Sequence, residues 1–182
     1  PSTTFFTEAG LLPNTAYSRH AHSVVASGES FASNSDTRTT YANVPTLPTF
    51  SLIGTSSLTA TWAAGTGGAG SYKVERSTDA GFGVVTVAAG AAAGAQTAVS
   101  FADAGLAANT TYYYRVLAYN AAGNLNPTPG SSDKTHTLPV TATPTAPSGV
   151  TTTSAIWNWA APAGGANSLT VVASTGGAGW GG

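Results

Sequence analysis

The chain of 182 residues contains no cysteine and no methionine, and it is poor in charge: six Lys and Arg stand against seven Asp and Glu, 7% of the sequence, for a formal net charge of −1. Without thiols, neither a disulfide framework nor a thiolate metal site can form. The charged fraction compares with about 25% in ordinary soluble domains, and such a balance of signs offers no field to attract nucleic acid or anionic lipid. No apolar run approaches the roughly 20 residues that cross a bilayer, and no positively charged signal sequence stands at the front. Pro1 together with the missing methionine leads to the expectation of a processed chain or a window on something longer. Helical periodicity is missing as well. The one helix-like stretch, residues 87–95, is interrupted by Gly90 and Gly94 and has no apolar stripe, so it is expected to be a loop or an irregular edge strand.

What the chain does have is apolar material, 42% of its residues, enough for one or two small domains with cores. The 22 Gly and 10 Pro read as turn punctuation. Between the turns, apolar and polar residues alternate in short runs rich in Val, Thr, Tyr and Trp. Leu58, Ala60 and Trp62 share one face, as do Tyr72 and Val74, and so do Tyr112, Tyr114, Val116 and Ala118. That pattern marks half-buried antiparallel strands and predicts an all-β chain.

Internal repetition carries more information than composition. "PSTTFFTEAGLLPNTAY" at the N-terminus superposes on "QTAVSFADAGLAANTTY" at an offset of 95, placing Phe6 on Phe101, Glu8 on Asp103, Leu11 on Leu106, Asn14 on Asn109 and Tyr17 on Tyr112. "SLTATWAAGTGGAGSYKVERST" superposes on "SAIWNWAAPAGGANSLTVVAST" at an offset of 97, placing Trp62 on Trp159 and Tyr72 on Leu169. Pro45 and Pro48 open the central copy, Pro144 and Pro147 the last one. One small β domain is therefore repeated, and the chain holds parts of three.

This series, Pro-x-x-Pro, a strand ending in Trp, Tyr-x-Val, then Leu-x-x-x-Thr-x-Tyr leading into an alternating strand, resembles a fibronectin type III repeat of bacterial type along essentially the whole chain. The resemblance implies immunoglobulin-like β-sandwiches in tandem, each with three strands in one sheet (A, B, E) and four in the other (G, F, C, C′). It implies a core Trp on the second strand, at Trp62 and Trp159, and a Leu–Tyr pair closing a tyrosine corner at Leu106 with Tyr112 and at Leu11 with Tyr17. On this basis residues 1–43 supply strands E to G of one repeat, 44–139 form a complete repeat, and 140–182 supply A to C or C′ of another. The expected structural core is Trp62, Tyr72, Val74, Leu106, Tyr112, Val116, Leu11, Tyr17, Trp157 and Trp159. In the N-terminal copy, Arg19, Ala21 and Ser23 replace Tyr114, Val116 and Ala118, a thin and polar inward face.

Each terminal half would leave open strand edges and an uncovered apolar layer, and about 40 residues without a staple rarely stay folded alone. Strands of about ten residues at 3.3 Å per residue put the two halves roughly 33 Å apart at opposite poles of the complete repeat, which makes self-closure strained. The sequence-based expectation is a structural subunit of an extracellular or cell-surface filament, assembled head to tail by strand complementation. Its partners would be other copies or the adjacent repeats of a longer array. Phe5, Phe6, Leu169, Val171 and Trp180 are the candidate contacts between copies. The alternatives are an adhesion or carbohydrate-binding module, with a possible glycan partner, and a passive spacer within a secreted polysaccharide-degrading enzyme.

No enzyme, cofactor or metal site is expected. His20 and His22, two apart on a strand, suit either two metal ligands or a solvated face, and no third ligand lies nearby in sequence. His136 is isolated. The acids are scattered singly, and no nucleophile elbow occurs. Trp157, Trp159 and Trp180 fit a carbohydrate-stacking platform, although core placement is expected for the first two. Asn109-Thr110-Thr111 fits both an N-glycosylation acceptor and an ordinary turn before a strand.

Overall fold

The computed structural model describes residues 5–162, 164–165 and 168–172. Among them thirteen strands and no helix occur: β1 (Ala16–Arg19), β2 (Val24–Val25), β3 (Gly28–Glu29), β4 (Asp36–Thr39), β5 (Thr49–Ser51), β6 (Ser57–Thr61), β7 (Ser71–Ser77), β8 (Thr86–Ala89), β9 (Ser100–Ala104), β10 (Thr111–Tyr119), β11 (Asp133–His136), β12 (Thr143–Ser148) and β13 (Ile156–Ala160). No helix among the described residues is long and apolar enough to cross a membrane.

Strands β5 to β11 make one sandwich. Its first sheet has the order β5-β6-β9 and its second β11-β10-β7-β8, all neighbours antiparallel. The alternation along each strand sets what faces inward. Register pairs Val116 with Val74 and Ala118 with Tyr72 across the second sheet, and Ala60 with Phe101 across the first. Leu58, Ala60, Trp62, Tyr72, Val74, Leu106, Tyr112, Tyr114, Val116 and Ala118 then form one buried cluster, sealed from one pole by Ala42. Trp62 meets Tyr72 edge to face with ring centroids 5.5 Å apart, and Phe50 meets Tyr114 at 5.4 Å across the two sheets. Residues 86–89 form the edge strand β8 and the glycine-broken remainder of the stretch is loop.

The corner before β10 is closed by a hydroxyl. Tyr112 Oη accepts the backbone N–H of Ala107 at 2.9 Å, Thr110 donates its hydroxyl to Ala108 O, and Thr137 Oγ1 donates to Ala107 O while accepting the N–H of Thr110. The N-terminal segment repeats this atom for atom: Tyr17 Oη accepts from Leu12 N at 2.9 Å, Thr15 donates to Pro13 O, and Thr40 Oγ1 donates to Leu12 O while accepting from Thr15 N. The tyrosine bond of the corner spans five positions in the chain, so it forms in the N-terminal segment although no described strand covers the β1–β4 pair.

The flanking segments differ from expectation in what they bury. In the N-terminal one, β1 pairs with β4 and β2 with β3, but the residues aligned with β9 form no strand. A strand there would need the counterpart of β6, which precedes it in a complete repeat. Leu11 and Tyr17 are accordingly only half-buried, not core, and line an open cleft of about 330 Å³ with Phe6, Glu8, Arg19 and Thr40. In the C-terminal segment β12 pairs with β13, and no further strand is formed over residues 168–172. Trp157 and Trp159 are 66% and 38% exposed, so they too are not core. The physical reason is common to all four: a sheet face is dry only where a second sheet covers it, and no described strand opposes β13 or the β1–β4 pair. Phe5, Phe6, Leu169 and Val171 are exposed; Trp180 lies outside the described residues.

Trp62 is 4% exposed and its Nε1 has no hydrogen-bond partner. Trp62→Ala is expected to lower the stability of the central sandwich by about 3–5 kcal/mol in denaturant titration. Trp62→Phe, which removes an indole N–H that the fold leaves unpaired, is expected to cost well under half of that.

Candidate functional site

The seven carboxylates of the sequence are each held by a structural partner. Arg76 Nη1 lies 2.8 and 2.7 Å from the two oxygens of Asp103, and the Tyr114 hydroxyl donates to the same carboxylate at 2.7 Å. Asp103 thus links the two sheets at the end of the core. Burial, then the Asp103 hydrogen bond, push the Tyr114 phenol far above its ordinary value, so it stays a donor at any practical pH. At the equivalent place in the N-terminal segment Arg19 replaces the tyrosine and pairs with Glu8 at 2.7 Å in solvent.

On the outer face of the second sheet, Glu75 is bonded by Lys73 at 2.7 Å and by Arg115 at 2.8 Å, and the Arg115 guanidinium lies 4.3 Å from the centre of the Phe82 ring. Burial raises the Glu75 carboxyl, but the two hydrogen bonds and the two positive charges outweigh it and leave the group below its ordinary value. Asp79 accepts the backbone N–H groups of Gly83 and Gly81, which hold its carboxyl low in full solvent. Asp36 pairs with Arg38, Glu29 lies 3.5 Å from His22, and Asp133 accepts the N–H of Lys134. Each of these carboxylates has a polar partner within 3.5 Å.

The histidines are committed in a similar way. His20 and His22 stack edge to face, and His22 Nδ1 lies 2.9 Å from Ser30 O. No group of three or more His, Cys, Asp or Glu able to hold a metal occurs among the described residues. His136 is exposed and bridges Thr111 Oγ1 and Asn109 Oδ1. Asn109 in turn donates its amide to Gly164 O at 3.0 Å, so the nitrogen that a sugar would occupy is engaged by the segment that follows the central sandwich. The face of β13 that carries Trp157 and Trp159 is open, but Trp159 aligns with the buried Trp62, which makes it an uncovered core position rather than a built platform.

Sequence reasoning therefore located the sandwich residues Trp62, Tyr72, Val74, Leu106, Tyr112 and Val116, all of them buried. It missed the Asp103 and Glu75 networks, whose members lie 27 and 40 residues apart in the chain and share no motif. It aligned Asn14 with Asn109 without revealing where either side chain goes.

The profile of the fibronectin type III domain matches residues 43–134. The chain belongs to the fibronectin type III family. Its sandwich has the strand order of that fold, and type III domains are in general non-catalytic. Among known proteins the chain is similar to exoglucanase B of Cellulomonas fimi, at 35% identity over 175 residues, covering 87% of this chain and 15% of that protein. It thus spans less than a sixth of that relative's length. Among solved structures it is similar to an Fn3-like protein from Clostridium thermocellum, at 31% identity and TM-score 0.43, covering 51% of this chain and 90% of that one. It is also similar to a human fibronectin type III domain from the type III domain containing protein 3, at 20% identity and TM-score 0.45, covering 54% and 88%.

Because the folded Glu75 carboxyl lies below its unfolded value, its contribution is fully present above the ordinary glutamate value of 4.5 and is lost as pH falls through the lower folded value. Glu75→Gln is expected to destabilise the protein at pH 7 by about 1–3 kcal/mol, since Lys73 and Arg115 are left uncompensated. The difference between wild type and variant should shrink as the pH is taken below 4.5, as read from melting temperatures across an acid series.

Proposed function

We propose that this chain is a non-catalytic spacer of tandem type III repeats within a larger, extracellular polysaccharide-degrading enzyme. The observation that carries the reading is the similarity to exoglucanase B over 175 residues. That length exceeds the residues 43–134 of a single repeat, as an array of repeats in a longer protein requires. Three features of the molecule support it. Its carboxylates are used to hold strands and turns, its surface is nearly neutral, and the chain enters and leaves the central sandwich at opposite poles through the segments that flank it. A glucan polymer is too large to enter a cell, so an enzyme acting on it works outside, and a spacer lets its modules reach separate points of an insoluble surface.

The uncovered faces of the two flanking segments favour a specific second reading, the filament joined by strand complementation. In a continuous array the same faces are filled by the neighbouring stretches of the same chain, so the exposed layer does not require assembly between copies. The spacer reading needs one fewer contact and accounts for the relative.

Deleting this segment from its parent enzyme is expected to lower hydrolysis of an insoluble glucan while leaving the rate on a soluble oligosaccharide unchanged. The isolated 182-residue chain should release no sugar from either. Filaments formed by that chain in sizing and electron microscopy would reverse the preference.

A further inference from the structure

The two turns aligned at an offset of 95 do the same thing at the two ends of the central sandwich. Asn14 has φ +51° and Asn109 has φ +50°, in the left-handed region that asparagine tolerates better than most residues. Each is fixed by its own repeat, its backbone N–H donating to the chain as it leaves that repeat: Asn14 to Tyr41 O at 3.0 Å, Asn109 to Leu138 O at 3.1 Å. Each then sends its side-chain amide into the repeat that follows. Asn14 Nδ2 donates to Gly67 O at 3.3 Å and Asn109 Nδ2 donates to Gly164 O at 3.0 Å.

The acceptors are equivalent too, since Gly67 and Gly164 align at the offset of 97. Both begin a glycine pair in which all four residues have positive φ, between 71° and 84°. Their lack of a side chain lets the neighbouring repeat come close: a Cβ on Gly67 would lie 3.0 Å from Pro13 O and 2.8 Å from Pro13 Cγ, and one on Gly164 would lie 3.2 Å from Ala108 O. Pro13 and Ala108 are again aligned positions. Donor, acceptor and point of closest approach thus recur at both joints.

We infer that this asparagine-to-glycine contact is a built latch between consecutive repeats, whose partner surface is the double-glycine loop of the next repeat in the same chain, and that it sets the angle at each joint. The first joint carries further bonds of the same kind. Ala121 N donates to Asn14 Oδ1 at 2.7 Å, Asn120 Nδ2 to Thr39 O and Thr40 O, Asn126 Nδ2 to Ala42 O, and Asn43 Nδ2 to Thr66 O. All use uncharged amides, so the joint is insensitive to salt and to pH, in keeping with a chain that has little charge. An array jointed in this way is a rod of fixed geometry rather than a string of freely pivoting domains, the default for small polar interfaces. As a use, this rests on the spacer reading: loss of the latch leaves a spacer that is flexible, while a parent without a catalytic module leaves the latch intact.

The test uses the absence of native cysteine. In the full chain, spin labels on Arg38→Cys and Thr61→Cys report the first joint and labels on Thr61→Cys and Thr145→Cys the second. Both pairs are expected to give narrow distance distributions. Asn14→Gly keeps the positive φ and removes the amide, so it should broaden the first distribution and leave the second narrow; Asn109→Gly should do the reverse. Asn14→Asp and Asn109→Asp, which turn the donor into an acceptor facing a carbonyl, should broaden the same distributions as the glycine variants. The central sandwich should remain cooperatively folded throughout, its melting temperature unchanged in the Asn14 variants and lowered by no more than the loss of the Asn109–His136 bond in the Asn109 variants, which separates an opened joint from an unfolded repeat. A broad distribution in the wild type, or one that none of these substitutions changes, overturns the inference.

Discussion

The constraint from which the rest follows is that each sheet is apolar on one face and must have that face covered. In the central repeat the three-stranded and four-stranded sheets cover one another, and Leu58, Val74, Tyr114 and Val116 lose essentially all contact with water. Burial of such side chains contributes about 1.5–3 kcal/mol each, and no disulfide or metal is needed to supplement it. The polar groups inside are then obliged to pair. Tyr114 brings its hydroxyl into the core, and Asp103 with Arg76 is placed to receive it.

The same constraint explains the flanking segments. They carry the local grammar of the fold, corner and hairpin, without the second sheet. Tyr17 makes its corner bond to Leu12 as Tyr112 does to Ala107, because the four residues between donor and acceptor suffice to set it. Trp159 has the sequence environment of Trp62 and lies open, because covering it requires strands far from it in the chain. Structure that is local in sequence persists without its partner sheet; burial does not.

The proposed use as a spacer places function in how the segments are joined rather than in a pocket. The carboxylates have polar partners, His22 and His136 bond to neighbouring groups while His20 stacks on His22, and Trp157 and Trp159 align with core positions but lack a cover. What recurs is the pair of joints, where amide side chains and side-chain-free glycines let the central sandwich and each flanking segment approach. A neutral, hydroxyl- and amide-rich surface suits that task. It holds neighbours together by short directional bonds that salt does not screen.

Alternation of apolar residues, the order of Trp62, Tyr72, Leu106 and Tyr112, and the two offsets near 95 were enough in the sequence alone to determine the all-β class, the sandwich and its central core. These features are local or periodic, and strand geometry turns a period of two directly into a buried face. The tertiary structure decided the rest. It alone showed that Leu11, Tyr17, Trp157 and Trp159 are not core, since burial is a property of two sheets and not of one strand. It alone brought Arg115 to Glu75, Tyr114 to Asp103 and Asn14 to Gly67, since those contacts depend on register between strands and on the angle between repeats, neither of which leaves a mark at a fixed spacing along the chain.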